Sequence, residues 1–441
     1  MEYTVMSNVH ENEDKRAIKL DKISQKDRQR LRMLAKRWKE IAASDEMKER
    51  KRLWKCLRDL KPERPMILFE TFSVAGYVTD KDLECANEFL RNVEKTFVYG
   101  IRQYEELGDD IVLEEYYRIP WMIERSDYGV KIIEHHAENS MGYKSNFPIA
   151  TPDDLNKLKK RSFMVDRQAT QIQKSLLEEL FGDIMPVKVG NFDNFFSDPG
   201  FTPFTGNNFV GITMDAFKLI GNDNMMMWPY DNPDALHRLM RYLTDDRLQF
   251  YHWMKDEGLL DFNTDNQFAG PSGYGYVSDL PMVGTQKEVE FKDLWVWPES
   301  QETVCVSPQM FNEFFLPYIA EVTNMFGLSY YGCCERIDDR FEYIKKALPN
   351  LRTVSISGWS DLYRAAEMLG KDYVYCRKPV PAHISGSSPD WEFAKKDLKD
   401  TYESTKAYGC VELIVRDVYD LGRDINRIAQ WVELAKSIMK I

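Results

Sequence analysis

Eight short apolar runs, separated by amphipathic stretches, constrain this sequence more than any other feature. They are PMILFETF (65–72), DIVLEEYY (110–117), IMPVKVGNF (184–192), LLDFNTDN (259–266), LSYYGCC (328–334), RTVSISGW (352–359), DYVYCRKP (372–379) and CVELIVRD (410–417). Helix-like segments lie between them, at 80–108, 232–258, 307–327 and 361–371 among others. Near-continuous apolar strands need cover on both faces, and alternating helices supply it, so such strands pair in parallel. Eight units of this kind predict an α/β fold, a closed (β/α)8 TIM barrel, with a doubly wound open sheet as the rival.

The rest of the chain is arranged around that alternation. Residues 1–60 read as an N-terminal helical extension, with Leu31, Leu34, Trp38, Ile41, Met47, Leu53, Trp54 and Leu57 at helical spacing, ended by Pro62 and Pro65. Residues 61–441 read as a single barrel domain with two insertions, about 117–183 and 267–306. The second insertion is rich in Gly, Pro and aromatic residues. Its GPSGYGYVSDLP (270–281) neither follows a strand nor opens a helix, so it is not a phosphate loop. It is predicted to be a mobile flap over the C-terminal mouth, lined by Tyr274, Tyr276, Trp295 and Trp297.

Composition narrows the function classes. A net charge of −12 argues against nucleic acid as a partner. No apolar run approaches the ~20 residues that span a bilayer, and the first 30 residues lack the apolar centre of a signal peptide. A cytoplasmic protein is expected. Seven irregularly spaced cysteines fit a reducing compartment better than a disulfide framework.

In a barrel the strand ends share one mouth. Reading those positions gives Glu70, Glu114 and Glu115, Asn191 and Asp193, Asn263 and Asp265, Cys333, Cys334 and Glu335, Trp359, Cys376 and Arg377, and Arg416 and Asp417. Thiolates are soft ligands, and a catalytic zinc takes three protein ligands and leaves one position open. Cys333 or Cys334 with Cys376, completed by Glu335, Glu299 or Asp417, could form such a set; buried thiols packed as small apolar residues are the alternative. Glu70, Glu115, Glu299, Glu302 and Glu412 are candidate acids or bases. Strand alternation puts Glu412, Ile414 and Arg416 on one face, so Glu412 is expected inside the barrel, paired with Arg416 or Arg377. None of the histidines sits at a strand end.

These pieces together resemble a known superfamily. RPMILFETF, NPDALHRLM, VSPQMFNEFFLPYIAEV, the cysteine strand, VSISGWSDLYRAAEMLG and YVYCRKPVPAHI are similar to the uroporphyrinogen decarboxylase superfamily over about residues 60–441. That superfamily also holds zinc-dependent, corrinoid-linked methyltransferases. The resemblance implies a (β/α)8 barrel with its pocket at the strand C-termini. The decarboxylases carry an Arg on the first strand and an Asp on the second. Here Glu70 and, approximately, Glu114 or Glu115 stand there, which reverses the charge offered to a polyanionic tetrapyrrole. The methyltransferases hold zinc with a His-x-Cys and a later Cys. Here Cys334 is kept, Gly332 replaces the histidine, and Arg416 or Asp417 replaces the later cysteine. The segments RLWKCLRDLKPERPM, ESQE and GCCE look like the subgroup that works beside corrinoid proteins on aryl methyl ethers.

The expected activity is therefore a methyltransferase. It would move a methyl group from a small methylated substrate, such as an aromatic methyl ether, to the Co(I) corrinoid of a separate partner protein. Zinc, or a carboxylic acid, would help the oxygen leave. Cys333, Cys334, Glu335 and Cys376 are the expected metal residues, and Glu70, Glu115, Glu299 and Asp417 the catalytic ones. Asn263, Tyr274, Trp295, Trp297, Gln301 and Arg416 are expected to bind substrate. A homodimer is compatible with this reading. The alternatives are a metal-free decarboxylase or lyase of a small aromatic or heterocyclic acid, and a ligand-binding barrel.

Overall fold

The computed structural model describes residues 23–136, 143–190, 208–422 and 424–441. The helices are α1 (Gln25–Ala42), α2 (Asp45–Arg58), α3 (Glu88–Leu107), α4 (Arg167–Phe181), α5 (Ile212–Asp231), α6 (Pro233–Asp256), α7 (Pro308–Phe314), α8 (Leu316–Thr323), α9 (Phe341–Ala347), α10 (Leu362–Leu369), α11 (Trp391–Thr405) and α12 (Asn426–Met439). The strands are β1 (Met66–Phe69), β2 (Tyr117–Pro120), β3 (Ile123–Arg125), β4 (Glu134–His136), β5 (Tyr143–Ser145), β6 (Phe163–Val165), β7 (Val187–Gly190), β8 (Trp295–Val296), β9 (Leu328–Tyr331), β10 (Leu351–Ile356), β11 (Val374–Arg377) and β12 (Val411–Val415). Local chemistry marks the helix starts: the Ser24, Ser44, Asn87 and Asp361 side chains each cap a first turn, and Pro233 and Pro308 open α6 and α7.

Six strands form one parallel sheet in the order β1-β12-β11-β10-β9-β8, and β2 and β7 form a separate parallel pair. Side chains alternate between two cores along the sheet, as strand geometry requires. Ile67, Phe69, Leu413 and Val415 pack with the outer helices, whereas Met66, Leu68, Cys376 and Ile414 join the N-terminal helices and the 268–280 segment in a second core. Helices α1 and α2 share that second core through Leu31, Trp38, Trp54 and Leu57. The 117–183 insertion carries two antiparallel pairs, β3-β6 and β4-β5.

Two expected strands are not strands. Residues 110–116 form no ladder, β2 starting only at Tyr117, and three of their carbonyls accept from helix side chains instead of a neighbouring strand. Trp54 Nε1 donates to Asp110 O, Arg50 to Ile111 O and Trp38 Nε1 to Glu114 O. In 259–266 the Asn263 amide takes the place of a ladder, accepting from Trp295 N at 2.9 Å and donating to Trp295 O at 3.0 Å. The short β8 lies inside the expected 267–306 insertion.

The flap itself is a correction. Residues 267–275 are buried, and Ala269 N bonds Gly273 O to make a tight hairpin against the inner face of the sheet. A Cβ on Gly270 would stand 2.2 Å from the Tyr330 ring, and one on Gly273 would stand 2.6 Å from Arg58 Nη2. The glycines of GPSGYG are there for close approach, not for motion. Below the hairpin lies a buried ion pair that sequence alone misassigned. Glu412 does face inward, but its partner is Arg58 from the end of α2, at 2.7 Å, with both side chains fully buried. Tyr330 OH donates to the other Glu412 oxygen, and Arg58 also reaches Thr353 Oγ1 and Tyr274 O.

Removing one member of a buried pair strands a charge, which costs roughly 3–5 kcal/mol. Arg58→Met should therefore lower unfolding stability by about that much in urea titration, and Arg58→Met with Glu412→Leu should recover most of it. Equal losses in the single and double variants would show that the pair is not what ties α2 to the sheet.

Candidate functional site

At the strand C-termini a polar cluster gathers residues from β1, β8, β9 and β12. Arg416 continues the inward face of β12 and is buried. Its Nε lies 3.1 Å from Glu70 Oε2, its Nη1 donates to Cys333 Sγ at 3.4 Å, and its guanidinium lies 6.0 Å from the Trp297 ring. Glu70 also accepts from Ser272 at the tip of the buried hairpin. Burial pushes the Glu70 pKa up against the opposing pull of Arg416. Burial alone would lower the Arg416 pKa, but Glu70, Cys333 and Asp417 outweigh it and raise it well above the usual value.

The chain reverses sharply after β9 and β12. Gly332 has φ +95° and Asp417 φ +61°, the left-handed region that a residue with a side chain seldom adopts. These turns bring Cys334 Sγ to 3.4 Å from Asp417 Oδ2 and to 3.6 Å from Cys333 Sγ. Tyr419 OH donates to the other Asp417 oxygen at 2.9 Å. Trp297 Nε1 donates to Gly332 O at 2.9 Å, and Trp297, Phe209 and Cys333 form a small apolar cluster with Met214 and Cys334 at its open edge.

Beside it sits an array of three acids. Thr213 Oγ1 is 3.1 Å from Glu299 Oε1 and 2.8 Å from Glu302 Oε2. A hydroxyl has one proton to donate. For both contacts to be hydrogen bonds, one of the two carboxyl groups must carry a proton and donate to the threonine. Electrostatics gives the same answer: burial first, then Glu302 and Glu335, raise the Glu299 pKa well above 4.5. Glu335 is also raised by burial, and its oxygens accept from Cys333 N at 2.7 Å and Ser300 N at 3.0 Å. Gln301 contributes its backbone N–H to Glu299 Oε2.

Of the expected site residues, the fold brings Glu70, Trp297, Glu299, Gln301, Cys333, Cys334, Glu335, Arg416 and Asp417 to this end. Others go elsewhere. Cys376 is registered with Glu412 and buried in the layer below, where burial and Glu412 push its thiol up to about 12. Glu115 is exposed, its charge felt by Lys48 of α2. Asn263 and Trp295 bond each other's groups, Trp295 Nε1 also donates to Gly275 O, and Tyr274 packs edge-on against Trp54. Asn191 and Asp193 lie outside the described residues. Thr213, Ser272 and Ser300 were missed; a single hydroxyl side chain gives no signal in one sequence.

The zinc implied by the resemblance does not fit this donor set. Among the described residues no three His, Cys, Asp or Glu side chains converge to hold a metal. Cys333 already faces the Arg416 guanidinium, both Glu335 oxygens face backbone N–H groups, and Cys376 belongs to another layer.

No family model matches the chain, and no curated protein matches its sequence. A solved structure of a methyltransferase from Methanosarcina mazei matches over 89% of this chain and 98% of its own, at 11% identity and a TM-score of 0.46. A likeness that distant carries no argument about activity. Among the described residues no helix is long and apolar enough to cross a membrane.

A buried carboxyl with a raised pKa makes folding take up a proton, so its contribution to stability is intact below about pH 4.5 and is lost as pH rises toward the folded value. Glu299→Gln abolishes that loss. The stability of Glu299→Gln relative to the wild type should therefore increase from about pH 5 to about pH 8 in denaturant titrations. A flat difference would show that Glu299 is ionised in the folded protein.

Proposed function

We propose that this chain is a methyltransferase that demethylates a small methylated compound, an aromatic methyl ether being the best fit. The acceptor in this reading is the Co(I) corrinoid of a separate protein. The observation that carries it is the Glu299–Thr213–Glu302 array beside the buried Trp297–Phe209 cluster, whose half-buried edge is Met214. An ether oxygen is a poor leaving group unless a proton reaches it as the C–O bond breaks. Glu299 gives its proton to the Thr213 oxygen, Thr213 passes its own to Glu302, the more exposed acid, and Glu302 delivers it to the departing oxygen. The aryl or alkyl part rests against Met214 at the edge of the Trp297–Phe209 cluster, and the methyl group leaves toward the acceptor.

In the same reading the six-stranded sheet and the β2-β7 pair are two arcs of one (β/α)8 ring. Contacts bridging the gaps support it: Asp110 N bonds Ile67 O, and Val210 N bonds Trp297 O, beside the Asn263 tie to Trp295. A docking partner over the mouth is supported by aromatic side chains left exposed after β10, β11 and β12. These are Trp359 at 76%, Tyr363 and Phe393 at 58% and Tyr419 at 40%. Exposed apolar groups gathered at one end of a fold mark interaction surfaces.

The test is anaerobic incubation with methoxylated aromatics and cob(I)alamin, following the cobalt spectrum and the phenol released. Turnover should fall about 10²–10⁴-fold in Glu302→Gln, and Thr213→Val should lower kcat more than it changes KM. Full activity in both variants would remove the proton-donor role. Release of carbon dioxide from an aromatic acid, with no methyl transfer, would establish the decarboxylase alternative.

A further inference from the structure

The two thiols just after β9 are in van der Waals contact. Their sulfurs are 3.6 Å apart, Cys334 is partly exposed, and Cys333 is buried behind it. Each has a charged neighbour suited to exchange chemistry: Asp417 Oδ2 lies 3.4 Å from Cys334 Sγ and Arg416 Nη1 3.4 Å from Cys333 Sγ. The backbone between them and β9 turns at Gly332, and Ser355 Oγ fixes the Cys333 carbonyl at 2.7 Å.

We propose that Cys333 and Cys334 form a reversible thiol–disulfide exchange site, oxidised by a small disulfide of the glutathione class. Cys334 gives its proton to Asp417, and its sulfur attacks one sulfur of the incoming disulfide. That S–S bond breaks, and the released thiolate takes the proton from Asp417. Cys333 then attacks the Cys334 sulfur, and the second thiol leaves with the Cys333 proton. The protein pair loses two electrons and two hydrogens, and one disulfide becomes two thiols. The sulfurs need to close from 3.6 Å to a bond of about 2 Å. A ring through adjacent residues is strained, and strained disulfides are readily reduced, so the modification reverses. Oxidation withdraws Cys334 from Asp417 and Cys333 from Arg416, which rearranges the mouth.

The proposal stands apart from the methyl-transfer reading, because its test follows mass and not activity. The reduced full chain is titrated with glutathione disulfide until the exposed Cys305 carries an adduct, which confirms that the reagent is sufficient. The peptide holding Cys333 and Cys334 should then lack two hydrogens, carry no glutathione, and return to its reduced mass with dithiothreitol. In Cys333→Ser a glutathione adduct should accumulate on Cys334. A lasting adduct on Cys334 of the wild type, or an unmodified pair once Cys305 has reacted, would overturn the proposal.

Discussion

A single ion pair sets the floor of this molecule. Arg58 comes from a helix that a reader of the sequence would place outside the domain, yet it ends beside Glu412 on an interior strand. Taking both charges out of water is costly, and the arrangement holds because every remaining polar atom nearby finds a partner: Tyr330, Thr353 and the Tyr274 carbonyl complete it. The glycine hairpin can then lie directly on Tyr330 and Arg58, and its tip delivers Ser272 to Glu70. The N-terminal helices, the interior hairpin and the upper cluster thus form one connected polar column, with hydrocarbon on either side.

Above that floor, the electrostatics of the mouth divides in two. Around Arg416 a fixed cation holds Glu70 and Cys333 in place. A few residues away, Glu299, Glu302 and Glu335 crowd together, and burial pushes the Glu299 and Glu335 carboxyls up. Like charges without a cation keep their protons; unlike charges keep their geometry. The same end of the fold therefore holds both a rigid anchor and a proton reserve.

Much of the sheet was legible in the sequence. Strands β1, β7 and β9 to β12 appear as apolar runs because both of their faces are covered, so no polar alternation interrupts them. The run at 110–117 is just as apolar, but its carbonyls are satisfied by Trp38, Arg50 and Trp54, and such a solution has the same hydrophobic signature as a strand. Glycine in 270–275 was read as flexibility, when it signals an absence of space. At the mouth, Glu299, Cys334, Arg416 and Asp417 were legible as chemistry-bearing residues near strand ends. Their partners were not: which cation meets which carboxylate depends on register and layer, as Glu412 and Cys376 show, and no local pattern encodes that.

The interior hairpin also limits the cavity above it. Because Gly270, Ser272 and Gly273 occupy the space over Tyr330, a guest entering from the strand ends meets a solid base at the level of Ser272. A guest that reaches Glu70 and the thiols from that end lies above Ser272, and the Tyr330–Arg58–Glu412 layer stays out of its reach.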